Sequence, residues 1–184
     1  HDLQEPLRMV ARYVQLIERR YRDKLDSDGQ EFIGYAVDGA NRMKELIESL
    51  LLYSRVQTRA KPPEPVDAEE VLQKVLFSLH PLLAENEAKV THDPLPEVMA
   101  DKTQLPMVFQ NLIENSIKFR KAEEPPRIHI SAIAENSHWK FSVSDNGIGI
   151  EPRHYDRIFR MYQRLHTRAE RPGVGIGLAV CKRI

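Results

Sequence analysis

The chain has 184 residues, which fits either one domain of ordinary size or two small ones, and we expect two. It carries 27 basic and 27 acidic residues, and this balance excludes the basic surface that is typical of proteins that bind nucleic acid. No run of apolar residues approaches the ~20 that span a bilayer. The single cysteine, Cys181, cannot form an intrachain disulfide, so we expect a reducing, cytoplasmic setting.

Two apolar seams predict a hairpin of antiparallel helices at the start of the chain. In the first seam apolar residues alternate spacings of four and three, which is the heptad pattern of a helix with one buried stripe, and the second seam combines the same two spacings. The sequence KLDSDGQEF separates the seams and predicts a turn, in which Ser27 and Gln30 have the spacing of a capping box. The seams consist of Leu3, Leu7, Val10, Val14, Ile17 and Tyr21, and of Ile33, Val37, Ala40, Met43, Ile47, Leu50 and Ser54.

This hairpin spans residues 1–59 and cannot bury both narrow stripes well by itself. A second copy would complete a four-helix bundle, so we predict a homodimer through the hairpin. Packing of the stripes against the rest of the same chain is the alternative. Residues 60–66 follow as a predicted linker, because their three prolines remove hydrogen-bond donors and favour extended backbone.

The remaining residues, 67–184, predict an α+β domain with helices on one face of a mixed or antiparallel sheet. The sequences RIHISAIA and WKFSVSD alternate apolar and polar residues, as strands with one solvent-exposed face do. HDPLPE and AEEPP are predicted turns. The other predicted elements are helices from about 68 to 86 and from 102 to 120, and a short strand near 97–100.

Three polar residues share one face of the second of these helices. Asn111, Asn115 and Lys118 are separated by four and three residues, so a helix places them in a line. Two amides and an ammonium suit a polyphosphate with its metal, because Mg²⁺ prefers oxygen ligands and lysine offsets phosphate charge. A solvated helix face is the alternative.

A carboxylate and two glycines follow the second alternating run. Asp145 ends the predicted strand, and Gly147 and Gly149 allow the backbone to approach a ligand closely. Because an ionised carboxylate can only accept hydrogen bonds, an exocyclic amine such as that of adenine is a natural partner. The alternative is an Asn-Gly turn between strands.

A third glycine-rich stretch lies near the end of the sequence. Gly173, Gly175 and Gly177 precede an apolar run that predicts a helix, and helix N-termini bind phosphate. Alone this triplet is weak evidence, since it is neither GxxxxGK[ST] nor a strand-linked GxGxxG.

Together, the motifs N-x-x-x-N, D-x-G-x-G and G-x-G-x-G, in this order, resemble the N, G1 and G2 boxes of the GHKL (Bergerat) ATP-binding fold. With HDLQEPLR ahead of a helical hairpin, the chain resembles the catalytic core of the sensor histidine kinases of two-component systems. The segment RIFRMYQRLHTRAERPGVGIGLAVCKRI is similar to the version in phytochrome-type and multi-sensor kinases. This resemblance covers nearly the whole chain. It implies ATP-dependent autophosphorylation and transfer of the phosphoryl group to an aspartate of a response-regulator receiver domain.

The resemblance assigns the acceptor chemistry to the first two residues. It makes His1 the phosphoacceptor and Asp2 the acid beside it. Neutral imidazole is nucleophilic near pH 7, and a neighbouring carboxylate can hold one ring N–H while the other nitrogen attacks.

The resemblance also implies an ATP and Mg²⁺ site in the second domain. Asn115 would hold the metal, Asn111 and Lys118 would lie near the phosphates, and Asp145 would bind the adenine amino group. Residues 166–172 would form the ATP lid. Phe119 would lie against the adenine, Phe159 would belong to the F box and Arg164 would approach the γ-phosphate. The other implied nucleotide-binding residues are Gly147, Gly149, Gly173, Gly175, Gly177 and Leu178.

The residue at position 111 distinguishes this chain from GHKL ATPases, which carry a glutamate there to activate water. Since asparagine is a poor general base, Asn111 favours transfer to histidine over hydrolysis. A GHKL ATPase and a catalytically inactive dimeric scaffold remain the alternatives. Because the family continues beyond CKRI through terminal strands and His1 follows no initiator methionine, we expect a sequence truncated at both ends.

Overall fold

The computed structural model describes residues 4–165, 171 and 173–184. The chain divides into two compact units between Ser54 and Arg55. Among the described residues, no helix is long and apolar enough to cross a membrane.

The first unit contains the predicted helical hairpin. Helix α1 spans Gln4–Tyr21, a short 3₁₀ turn spans Arg22–Lys24, and α2 spans Ser27–Thr58. The boundary between the units lies within α2, so the last turn of α2 belongs to the second unit. The seam residues Leu7 and Ala40 are buried. Most of the other apolar side chains along the two helices are exposed or half-buried.

The turn between these helices differs from the predicted capping box. The Asp26 carboxylate accepts a hydrogen bond from the Gly29 backbone N–H at 2.8 Å, which caps α2 one residue earlier than predicted. The Gln30 side-chain amide donates to the Arg22 and Leu25 carbonyls at 3.1 and 3.3 Å. Gln30 therefore ties the preceding 3₁₀ turn to the helix instead of closing a capping box.

The described residues of the second unit form two small sheets. Strand β1 (Glu64–Asp67) pairs antiparallel with β3 (Glu97–Ala100). The other sheet is mixed, with order β2-β4-β5. In it β4 (Arg127–Glu135) pairs parallel with β2 (Lys89–His92) and antiparallel with β5 (His138–Asp145).

The described residues of this unit also form three α-helices and one short 3₁₀ helix, Pro152–His154. Helix α3 spans Ala68–Glu85 and is capped by Asp67, whose carboxylate accepts from the Glu69 and Glu70 backbone N–H groups. Helix α4 spans Leu105–Lys118, and α5 spans Gly177–Arg183. The predicted α+β class, with a hairpin ahead of it, is confirmed.

One face of the mixed sheet forms the core with α3 and α4. The Phe109 ring of α4 meets the Phe141 ring of β5 edge to face, with centroids 5.8 Å apart. The side chains of β4 alternate, so that Ile128 and Ile130 are buried and His129 is exposed. The buried core residues are Val66, Val71, Leu72, Val75, Leu79, Phe109, Ile113, Ile117, Ile128 and Ile130.

Two strands and one helix start differ from the expectations. Strand β1 begins inside the stretch predicted as a linker, and β2 was not predicted. Helix α4 begins at Leu105 instead of 102, because the Asp101 carboxylate accepts from the Thr103 backbone N–H and hydroxyl and holds a turn there.

Candidate nucleotide-binding site

Helix α4 supplies the line of polar residues. The Asn111 amide donates to the Met107 carbonyl one turn earlier at 2.8 Å, which fixes the direction of its oxygen. A Cβ atom added to Gly177 would lie 2.6 Å from that oxygen. The start of α5 therefore lies directly against Asn111, and only glycine fits there without a shift.

The Lys118 ammonium lies at the end of the same face. Its Nζ is 5.0 Å from the centroid of the Phe119 ring, within the range of a cation–π contact. A Cβ atom on Gly173, whose φ is +126°, would lie 2.7 Å from this Nζ. Burial lowers the pKa of Lys118, and the positive charges of Arg164 and Arg171 lower it further. The surroundings of this ammonium are therefore cationic and partly desolvated.

Asp145 ends β5 beside α4, as predicted. One carboxylate oxygen accepts from the Gly147 backbone N–H at 2.8 Å, and the other accepts from the Ser116 hydroxyl at 3.0 Å. Asp145 is exposed, whereas Ser116 is buried. The carboxylate is held in a fixed orientation at the surface, where it can accept a hydrogen bond from a ligand.

The backbone after Asp145 is attached to the end of α4. The Ile148 N–H donates to the Phe119 carbonyl at 3.0 Å. A Cβ atom on Gly147 would lie 2.7 Å from the same carbonyl oxygen, so this approach requires glycine. Gly149 has a φ of +72°, a left-handed conformation that also favours glycine.

The segment that contains Arg164 pairs with the last glycine motif. The Tyr162 N–H donates to the Gly175 carbonyl at 3.0 Å. A Cβ atom on Gly175 would lie 2.8 Å from the Gln163 carbonyl oxygen, and φ at Gly175 is +78°. The Arg164 guanidinium donates to the Arg171 carbonyl.

The structure brings most of the predicted nucleotide-binding residues around α4. Phe159 is exposed and contacts Lys182, whose Nζ lies 5.7 Å from the centroid of the Phe159 ring. Leu178 is half-buried in α5. His1, Asp2 and the lid residues 166–170 and 172 lie outside the described residues. The residues that lie on α4, at its end or near it are Asn111, Asn115, Lys118, Phe119, Asp145, Gly147, Arg164, Gly173 and Gly177. Gly175 lies against Gln163 and Arg164.

Two residues of this site were not predicted. Ser116 directly follows Asn115, and its hydroxyl could have been considered as a second polar group of the motif. Arg171 lies within the predicted lid, residues 166–172, but no contact of its own with a ligand was predicted.

A helix with the sequence N-x-x-x-N-x-x-K that contacts a glycine-rich loop and a carboxylate at a strand end defines a GHKL-type ATP-binding domain. Residues 100–184 match the family model of histidine kinase-, DNA gyrase B- and HSP90-like ATPases. Residues 1–59 match that of the His Kinase A (phospho-acceptor) domain. The chain therefore carries a His Kinase A (phospho-acceptor) domain and a histidine kinase-like ATP-binding domain, the two domains that the resemblance implied.

Curated relatives and solved structures support this family. The chain is 55% identical over its whole length to cyanobacterial phytochrome A of Nostoc sp. and 47% identical to phytochrome-like protein Cph1 of Synechocystis sp.. It spans 24% of the length of each of these relatives. The crystal structure of full-length ShkA in complex with AMPPNP matches 100% of this chain and 38% of its own, with 26% identity and a TM-score of 0.67.

Proposed function

We propose that the chain is the catalytic core of a sensor histidine kinase, which phosphorylates His1 from ATP and passes the phosphoryl group to an aspartate of a receiver domain. The observation that carries this proposal is the cationic site around Lys118, built beside a fixed carboxylate, in a chain with a phospho-acceptor domain.

We propose that an adenine nucleotide binds in one orientation, with its base at Asp145 and its phosphates at Lys118. The Asp145 carboxylate would accept from the adenine amino group, with the Phe119 ring beside the base. Lys118 and Arg164 would then neutralise phosphate charge, near the backbone of the last glycine motif. The base of the nucleotide would contact a hydrogen-bond acceptor and an aromatic ring, and its phosphates would contact positive charges.

We propose that one magnesium ion arrives with the phosphates and binds at Asn115. No group of three or more His, Cys, Asp or Glu residues that could hold a metal occurs within the described ranges. Mg²⁺ commonly takes one or two protein oxygens and completes its shell with phosphate oxygens and water. The Asn115 amide oxygen would be such a ligand. The ion would supply neutralisation of charge on the transferring phosphoryl group.

The proposed transfer needs positioning more than acid–base chemistry. A ring nitrogen of His1 forms a bond to the γ-phosphorus as the bond from that phosphorus to the bridging oxygen breaks, and ADP leaves. Asp2 would hold the opposite ring N–H and stabilise the charge that develops on the imidazole. In the site, the Asn111 amide donates to Met107 and offers no carboxylate to activate water, which favours histidine over water as the acceptor.

The hairpin is the proposed dimer interface. Exposed apolar side chains line both helices, among them Val10 at 52% and Tyr13 at 58% exposure on α1 and Leu50 at 50% on α2. A second hairpin would bury them in a four-helix bundle. We propose that the reaction takes place in the cytoplasm, where ATP and a receiver partner are expected.

The test compares two fates of γ-labelled ATP incubated with the protein and Mg²⁺. We expect label on the protein to accumulate faster than free labelled phosphate, and no transfer from α-labelled ATP. Release of phosphate at the same rate in a His1→Gln variant, without labelled protein in the wild type, would favour an ATPase instead. Binding of ATP with neither product would favour a scaffold.

A further inference from the structure

Three positive side chains gather at the predicted phosphate end of the site. Arg164 and Arg171 both lower the pKa of Lys118, so their charges act on its ammonium. The Arg171 guanidinium donates to the Arg120 carbonyl at 3.0 Å, just beyond the end of α4. Arg171 is half-buried, and its own carbonyl accepts from Arg164. The two arginines are therefore linked by a hydrogen bond, and both lie close enough to Lys118 for their charges to act on it.

This group has no acidic counterpart within the part of the chain that the structure describes. The ion pairs recorded there join other residues, and none involves Lys118, Arg164 or Arg171. Like charges held together without an anion repel one another, and partial burial strengthens that repulsion. An anion with several negative charges would remove the repulsion.

We propose that Arg171 is a third phosphate-binding cation of the ATP site, acting with Lys118 and Arg164. The proposal rests on the proposed ATP-binding function and extends it to a residue that no motif marks. The hydrogen bond to the Arg120 carbonyl uses one of the five guanidinium donors and holds the side chain at the end of α4. The remaining N–H donors lie along the edge of the planar guanidinium and can bind two phosphate oxygens at once.

The proposal predicts an effect that grows with the charge of the ligand. Arg171→Gln removes the charge and retains a polar side chain of moderate length. We expect the affinity for ATP to fall by about tenfold, that for ADP to fall less, and that for adenosine to stay at the wild-type value. Arg171→Lys should restore part of the ATP affinity, because it restores the charge but not the planar fork.

Arg157→Gln is the matched control. It makes the same chemical change in an exposed arginine whose guanidinium bonds to the Gln163 side chain at 3.2 Å and which is not among the charges that act on Lys118. All three affinities should stay at the wild-type values. The measurement is titration calorimetry of each variant with ATP, ADP and adenosine at one salt concentration.

The outcomes separate this proposal from the function on which it rests. If the wild type binds ATP and Arg171→Gln binds all three ligands equally well, the role of Arg171 is overturned and the proposed function stands. An equal loss for adenosine and ATP also overturns it, because it would show a structural role. Failure of the wild type to bind ATP would overturn both.

Discussion

The Ser116 hydroxyl donates a hydrogen bond to the Asp145 carboxylate at 3.0 Å and so joins the buried face of α4 to the end of β5. The same hydroxyl also lies 3.0 Å from the Leu112 carbonyl oxygen. The carboxylate that we propose for adenine recognition is therefore oriented by a side chain that faces the interior. Ser116 acts through Asp145 and is a positioning residue.

Ser116→Ala should weaken ATP binding about three- to tenfold, because the loss of one hydrogen bond to a charged group frees the carboxylate to turn. Adenosine should lose affinity by the same factor, since the effect is at the base. Ser78→Ala is the control, because it removes a comparable hydroxyl that bonds to the Val75 carbonyl in α3. A loss confined to ATP, with adenosine unaffected, would contradict the positioning role.

Gly177→Ala should disturb Asn111. Alanine in place of an unhindered helical glycine stabilises a protein by about 0.5–1 kcal/mol, but here the new Cβ would lie 2.6 Å from the Asn111 oxygen. We expect ATP affinity to fall about tenfold as Asn111 loses its bond to Met107. Gly34→Ala in α2 is the control, because no atom lies within 4 Å of its added Cβ. Calorimetry and thermal unfolding of both variants would show the difference, and unchanged ATP binding in Gly177→Ala would refute the steric argument.

Lys118 should give ATP binding a pH dependence. Burial and the two arginines lower the pKa of its ammonium, whereas bound phosphate favours the charged form. The affinity for ATP is therefore highest at pH values below the lowered pKa, where Lys118 is charged. It falls, by up to about tenfold per pH unit, as the pH rises through that pKa. Adenosine should show no such fall.

The matched variant for this titration is Lys118→Arg, since a guanidinium stays charged across the accessible range. Its ATP affinity should lose the pH dependence that the titration of Lys118 gives to the wild type. An equal dependence in both proteins would mean that another group titrates.

The exposed stripe on α1 should hold the dimer together. Ile17→Glu places a charge on a seam residue that is 44% exposed in the single chain, and we expect it to shift sedimentation equilibrium from dimer toward monomer. Phe77→Glu makes the same kind of change at an apolar residue of α3 that is 84% exposed, and should leave the dimer intact. A wild-type monomer at micromolar concentration would contradict the predicted interface.

The parts of the fold that local patterns determine could be predicted, and those that depend on distant pairing could not. Helix α3 and strand β5 lie within a few residues of their predicted positions, because their periodicity and end signals are local. Strand β2 has four residues, and it exists because Lys89 begins a parallel pairing with Arg127 of β4. The sequence KVTH alone does not indicate that it pairs with β4.

The same distinction applies to the site. The spacing of Asn111, Asn115 and Lys118 predicts that they share one helix face, because the geometry of a single helix determines it. The contact of Ser116 with Asp145 and the approach of Arg171 to Arg120 each join segments that are distant in sequence. Their roles depend on the packing of α4 against those distant segments, which no local pattern contains.

The most direct test of the central claim is the position and chemistry of the phosphoryl group transferred from γ-labelled ATP. We predict a label that is acid-labile and base-stable, and that His1→Gln abolishes. His80→Gln should retain it, because His80 is an exposed histidine of α3 with no proposed role. Label that persists in His1→Gln, or that is stable to acid, would contradict a kinase that phosphorylates His1.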